Sequence, residues 1–319
     1  MTPLGRARWR IPSPSEMALD GEEGQMLRIE RILCPVDFSE FSVRAYDYAH
    51  SVARQYEAKL FLQHVAEPLL ALYSGYISQT TIDEIYAQQT EHVQEQLRSF
   101  LARYEDRSTE PEVILHQGYP ADSILLFAES ERIDVIVMGT HGRRGFDRVV
   151  LGSVTERVLR NSACPVLAVH DAVRGIVNSA DLERPVNIRK ILLATDFSDN
   201  SPRALEYAFS LGTQYDAEVT LLHVLGQPAG KADPQTERAA VLRQLEQVIP
   251  SEARTWSTVI PAVRRGRPYE EIVQHANEIQ LDLIVMGVRG RNAIDLALFG
   301  STTHRVIQLG PCPVLAVRT

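Results

Sequence analysis

Two glycine-spaced loops carry the chemical promise of this chain. The first reads Gly139-Thr140-His141-Gly142 and, nine residues on, Gly152-Ser153; the second reads Gly287-Val288-Arg289-Gly290 and, again nine residues on, Gly300-Ser301. Each follows a β-branched apolar run, Val135-Ile136-Val137-Met138 or Leu283-Ile284-Val285-Met286, and precedes a stretch of helical character. A strand, a glycine-rich loop and a helix N-terminus in that order suit a phosphate. Without Cβ atoms the main-chain amides can close on an anion, and the helix adds roughly half a positive charge at its start. One glycine after a strand simply turns the chain. Three at fixed spacing, twice over, ask for more than a turn.

The neighbours of these glycines admit two readings each. Ser153 and Ser301, followed by Val154 and Thr302, open helices where a hydroxyl and the first amides could meet a phosphate. Ser153-Val154-Thr155-Glu156 also has the pattern of a capping box, which would close its helix start without any ligand. Arg143 and Arg144 in the first loop, with Arg289 and Arg291 in the second, could reach phosphate oxygens or stand solvated. Asp37 and Asp196 lie where a strand meets a loop. There a carboxylate can address the ribose or base of a nucleotide, or make an Asx-type turn that starts the next helix. Val65 and Val224 would act through backbone groups or merely end their strands, and His64 and His223 before them read as satisfied core histidines. Asp147 and Asp295 could hold Mg²⁺ through water or lie at the surface.

Signals of turnover are weak. The sequence contains no GxxxxGK[ST] loop, no GxGxxG, no HExxH and no paired CxxC. Binding is therefore better supported than catalysis. A slow ATPase or phosphotransferase and a nucleotide-free interaction scaffold stand as alternatives.

The elements that must position these residues repeat along the chain. Asp37 and His64-Val65 match Asp196 and His223-Val224 at an offset of 159 residues. From Gly118 and Gly266 onward the offset is 148, as far as the two Cys-Pro-Val-Leu-Ala-Val endings that begin at Cys164 and Cys312. The difference falls between His64 and Gly118, where an insertion belongs in a loop or helix end. In the first half strands are expected over 31–36, 60–65, 112–116, 134–139 and 166–169, and helices over 42–56, 81–103, 121–131 and 153–161. Continuous apolar strands alternating with helices give a parallel sheet buried on both faces. The fold class is therefore α/β: two tandem doubly wound, Rossmann-like domains over residues 26–170 and 187–319, joined by a polar linker over 171–186. In such sheets ligands bind beyond the strands' carboxyl ends. Asp37, Val65 and Gly139 meet at one such rim; Asp196, Val224 and Gly287 meet at another.

Bulk composition narrows the setting. A formal charge of −8 over 319 residues argues against a nucleic-acid partner. It does not oppose a nucleotide, because loop amides act at hydrogen-bond distance while net charge is screened over about 8 Å. No apolar run reaches the roughly 18–20 residues needed to cross a bilayer, so no membrane partner is expected. Residues 1–25, rich in Pro, Gly, Arg and Glu, read as a disordered leader. Three cysteines without metal-type spacing suggest reduced thiols in a cytoplasmic protein.

Taken together, the Gly-x2-Gly-x9-Gly-Ser loops, the Pro-Val-Asp-Phe-Ser and Ala-Thr-Asp-Phe-Ser strand ends, the His-Val pairs and the Cys-Pro-Val-Leu-Ala-Val endings resemble those of the universal stress proteins, in both halves. The resemblance implies a tandem member with five-stranded domains that bind ATP with a divalent metal, Mg²⁺ or Mn²⁺. It would place Asp37 and Val65 at the adenosine, Gly139 nearby, and Gly142, Gly152, Ser153 and Val154 at the phosphates. The matching positions are Asp196, Val224, Gly287, Gly290, Gly300, Ser301 and Thr302. Members of this family pair through the last strand. Two halves of one chain could do so internally as a pseudo-dimer, and whole chains could form a homodimer.

Overall fold

The computed structural model describes residues 27–68, 79–104, 109–141, 151–170, 176–177, 182, 184–197, 201–227, 233–250, 253, 258–288 and 300–318. The leader expected over residues 1–25 lies outside these, and so do Gly142, Arg143, Gly290 and Arg291 of the two loops.

Each half alternates strands with helices as its apolar periodicity requires. The first runs β1 (Arg31–Pro35), α1 (Glu40–Tyr56), β2 (Lys59–Ala66), α2 (Gln79–Leu101), β3 (Glu112–Gln117), α3 (Pro120–Ser130), β4 (Val135–Gly139), α4 (Ser153–Asn161) and β5 (Val166–Val169). The second runs β6 (Lys190–Ala194), α5 (Ser201–Tyr215), β7 (Glu218–Leu225), α6 (Pro234–Val248), β8 (Val259–Arg265), α7 (Pro268–Glu278), β9 (Leu283–Gly287), α8 (Ser301–Leu309) and β10 (Val314–Val317). Helix α1 begins two residues before the sequence suggests. Ser39 Oγ caps it, accepting from the Ser42 amide at 3.3 Å.

All ten strands form one sheet in the order β3-β2-β1-β4-β5-β10-β9-β6-β7-β8. Pairing is parallel within each half, and the strand order reverses between β1 and β4 and between β6 and β9. The two halves join through β5 and β10, which run antiparallel. Leu167 pairs with Leu315, its own counterpart in the repeat, so a pseudo-twofold axis passes between them. Tyr56 and Tyr215 are counterparts as well, and their hydroxyls lie 3.4 Å apart. Reciprocal bonds flank them: Tyr56 donates to Gln214 Oε1 at 2.8 Å and Gln55 Nε2 donates to the Tyr215 hydroxyl at 3.0 Å.

This internal pairing places the two most apolar strands, both Val-Leu-Ala-Val, at the middle of the sheet, where all eight residues are buried. Burial of a Val or Leu side chain contributes about 1.5–3 kcal/mol, and an edge open to aggregation is covered. One apolar cluster on the α1/α5 face runs across both halves, from Ile32 and Val137 to Ile191 and Val285. The linking segment joins it. Ile176, Leu182 and Val186 are buried there, so the segment is anchored and not only a polar tether.

Candidate functional site

The crevice between β1 and β4, at the strands' carboxyl ends, is where the sequence-derived residues converge. Asp37 follows β1 and is half-buried. Its Oδ1 accepts from the Ser39 amide at 3.1 Å and the Ser39 hydroxyl at 2.6 Å. The Asx-turn reading of Asp37 is thus realised at one carboxylate oxygen, and it fixes the side chain at the rim. The next residue, Phe38, sits at φ 64°, and its counterpart Phe197 sits at φ 56°. A bulky residue in the left-handed region is strained, and strain of this kind concentrates at functional sites. Its appearance at the same place in both halves ties it to the rim.

The histidines hold that strained turn. Phe38 stacks on His64 with ring centroids 4.6 Å apart, and Phe197 stacks on His223 at 4.7 Å. His64 Nδ1 is 2.8 Å from the Val36 carbonyl oxygen, and His223 Nδ1 is 2.8 Å from that of Thr195. Both rings are bonded to the backbone just before the aspartate and serve to position it, as the core reading expects. Val65 and Val224 follow in β2 and β7, both half-buried.

Gly139 ends β4 directly beneath this turn. A Cβ there would lie 2.9 Å from the Phe41 carbonyl oxygen, so close approach of α1's first turn by itself explains the glycine. The contact also brings Asp37's turn against the end of β4. From there the chain enters the glycine loop, whose two ends are pinned alike in both halves. The Gly152 amide donates to Thr140 O at 2.8 Å and the Thr155 hydroxyl to Gly139 O at 2.8 Å. In the second half Gly300 donates to Val288 O at 3.2 Å and Thr303 to Gly287 O at 2.9 Å. Each closure ties the start of the following helix to the end of the preceding strand.

Those helix starts correct one expectation. The capping box at Ser153 does not form, because Gly152 takes the N-cap position and Ser153 becomes the first helical residue. The Glu156 carboxylate turns instead to Arg160 at 2.6 Å. Gly300 and Ser301 repeat the arrangement, and neither helix carries a side-chain cap. Ser153 and Ser301 are exposed, with Val154 and Thr302 half-buried behind them. Among the described residues, then, no N-cap side chain satisfies the first-turn amides of these two helices, the condition under which a helix start receives an anion.

A residue the sequence did not single out belongs to the first site. His141 is 93% buried, stacks on Phe41 at 4.9 Å and has its Nδ1 2.9 Å from the Thr140 hydroxyl. Its Nε2 is buried and has no hydrogen-bond partner among the described residues. Burial lowers its pKa below the ordinary histidine value. The sequence signal was only its place between the first two loop glycines. Among the described residues no three His, Cys, Asp or Glu side chains converge as metal ligands, while Asp147 and Asp295 lie outside those residues. No described helix is long and apolar enough to cross a membrane.

Comparison with known proteins adds a second line of argument. A model of the universal stress protein family matches the chain twice, over residues 28–170 and 187–318. A universal stress protein of Mycolicibacterium smegmatis is 26% identical over 301 residues, which span 90% of this chain and 96% of the relative. One of Methanocaldococcus jannaschii is 33% identical over 140 residues, 44% of this chain and 81% of that protein. Among solved structures, a universal stress protein from Archaeoglobus fulgidus superposes with a TM-score of 0.65 at 25% identity, covering 92% of this chain and 99% of that one.

Proposed function

Since this chain belongs to the universal stress protein family and carries the family's domain twice, we propose that it binds adenine nucleotides, ATP foremost, at two sites and serves a regulatory or protective role in the stress response. One observation carries the reading. In both halves a helix whose N-cap is a glycine is pinned to the end of β4 or β9, the strand that runs parallel to and beside the one a half-buried aspartate follows. The units over 26–170 and 187–319, joined by 171–186, each hold one site.

In the first site Asp37 and the Val65 backbone address the adenosine, with Gly139 beside them. Gly142, Gly152, Ser153 and Val154 supply amides and a hydroxyl to the phosphates, Arg143 adds charge at the loop, and His141 Nε2 offers a buried polar contact. The second site uses Asp196, Val224 and Gly287 for the nucleoside, and Gly290, Gly300, Ser301, Thr302 and Arg291 for the phosphates. The divalent cation, Mg²⁺ or Mn²⁺, enters with the phosphate oxygens. The cytoplasm is the proposed compartment, consistent with three cysteines that lack metal-type spacing.

Denaturing extraction of freshly purified protein, followed by chromatography of the released nucleotides, tests the reading. One to two adenine nucleotides per chain are expected. A folded chain that releases none and takes up none from millimolar Mg-ATP overturns it.

A further inference from the structure

The pseudo-twofold axis creates two equivalent corners where a helix of one half meets the last strand of the other. At one corner Tyr48 of α1 lies within electrostatic reach of Arg44, one turn back, and of Cys312, just before β10. At the other, the counterpart Tyr207 of α5 lies within reach of Arg203 and of Cys164, just before β5. The same three side chains thus gather twice, each time across the junction of the halves. The corners differ in what covers them, because one linking segment can lie over one corner only. The Ile176 backbone is hydrogen-bonded to the Tyr48 hydroxyl, and Tyr48 is 1% and Cys312 0% exposed. Tyr207 and Cys164 are only half-buried.

A cleft of about 470 Å³ opens at this second corner and reaches the axis. Its apolar wall there is made of counterpart pairs: Val52 with Leu211, Tyr56 with Tyr215 and Leu167 with Leu315. Arg203 is the half-buried cation of the lining, while Arg28, Glu129 and Arg132 are exposed. Its Nη1 donates to Arg318 O at 3.0 Å, and its side chain is hydrogen-bonded to Tyr207. Among the described residues Arg203 forms no ion pair; Glu206, one turn on, senses its charge from beyond that distance. Asp134, also in the lining, is committed elsewhere, its Oδ2 accepting from the Glu30 and Arg31 amides at 2.8 Å each.

We propose that this cleft binds a small amphipathic carboxylate, with the apolar body between the counterpart pairs at the axis and the carboxylate on Arg203 and the Tyr207 hydroxyl. Apolar walls exclude water and favour an apolar occupant. A half-buried guanidinium without an ion pair favours a carboxylate, to which it can present two parallel donors. A neutral hydrocarbon would leave Arg203 desolvated and unanswered, and a free inorganic anion would carry charge against an apolar wall. Only a molecule with both parts satisfies the whole lining. None of the described residues assigned to the nucleotide lines the cleft, so the proposal goes beyond that reading and stands apart from it.

Calorimetric titration with decanoate and with decanol, its uncharged analogue, tests the proposal on wild type, Arg203→Gln and Ile29→Trp. Wild type is expected to take up one decanoate per chain and to hold decanol at least about tenfold more weakly, the worth of hydrogen bonds to a charged group. Arg203→Gln should lose that preference, and Ile29→Trp, which sets a larger ring in the lining, should bind neither. Cys164 gives a second readout, because Cys34 and Cys312 are fully buried. Decanoate should slow its modification by a maleimide in native wild type and not, at the same concentration, in Arg203→Gln. Should Ile29→Trp fail to fold, this protection decides in its place. A wild type that binds no decanoate, whether solvent or the chain's own residues fill the cleft, overturns the proposal. Equal affinity for decanoate and decanol, a preference that survives in folded Arg203→Gln, or unaltered Cys164 reactivity at saturating decanoate overturns it equally.

Discussion

Replacing Gly152 by Asp and by Asn separates a cap from a phosphate site. Gly152 sits at φ −61° and ψ 139°, a conformation open to any residue. A Cβ there would lie 3.3 Å from the Thr140 carbonyl oxygen, a contact relieved by a small shift. As an N-cap, Asp or Asn improves on glycine by only a few tenths of a kcal/mol. Both variants should therefore fold with stability within about 0.5 kcal/mol of wild type and melt within about 2 °C of it. Binding should divide them. A carboxylate about 4 Å from a phosphate charge, at an effective dielectric near 20, is repelled by about 4 kcal/mol. Solvent and salt at this exposed helix start reduce that figure, and a loss of at least about 1.4 kcal/mol, tenfold in affinity, is the expected floor. Asn supplies a similar cap without the charge and should stay within about threefold of wild type. Calorimetric titration of ATP, with both variants on a Gly290→Val background to silence the second site, gives the comparison. Equal affinities for Asp and Asn would refute the placement of phosphate at this helix.

Other perturbations test the supports of the site. Gly142→Val and Gly290→Val should each remove one bound nucleotide per chain, read by equilibrium dialysis; wild-type stoichiometry in both would reject the loop assignment. Gly139→Ala should destabilise the fold by about 1–3 kcal/mol in denaturant unfolding, because its Cβ meets Phe41 backbone at 2.9 Å and not a flexible side-chain tip. A neutral result would show that α1 yields easily. His64→Leu removes the bond to Val36 O and should cost about 1 kcal/mol while speeding amide exchange over residues 36–39; unchanged exchange there would remove its positioning role. Burial holds the pKa of His141 below the ordinary histidine value. The unfolded chain then takes up that proton first, so this group's contribution to stability is lost as pH falls below about 6.5 and levels off beneath its folded pKa. His141→Asn should therefore flatten the stability profile between pH 7.5 and 5.5, and a profile as steep as wild type would contradict the assignment.

Much of this was legible in the residues. The repeat offsets foretold the paired halves, and the continuous apolar runs marked inner strands that are buried on both faces, whereas the edge strands β3 and β8 are mostly exposed or half-buried. The Val-Leu-Ala-Val endings, buried in the middle of the sheet, are where the pseudo-dimer joins. What escaped the sequence depended on geometry that only the assembled fold supplies. Ser153-x-x-Glu156 satisfies the capping-box pattern, but the Gly152 bond to Thr140 O shifts the cap back by one residue. Phe38 and Phe197 gave no hint of positive φ, since the contacts that hold an aromatic residue there, stacking on a histidine of the neighbouring strand among them, come from the assembled fold. The glycine at 139 invited a ligand-based reading, while the backbone of Phe41 provides the steric reason. The burial of His141 is likewise a product of packing and has no signature in spacing.

A crystal structure of the chain grown with excess Mg-ATP tests the central claim most directly. The account predicts phosphate oxygens within hydrogen-bond distance of the first-turn amides at Ser153 and Val154 and at Ser301 and Thr302, with Asp37 and Asp196 on the nucleoside side. Nucleotide bound elsewhere, or both helix starts bare in well-ordered density, would contradict it.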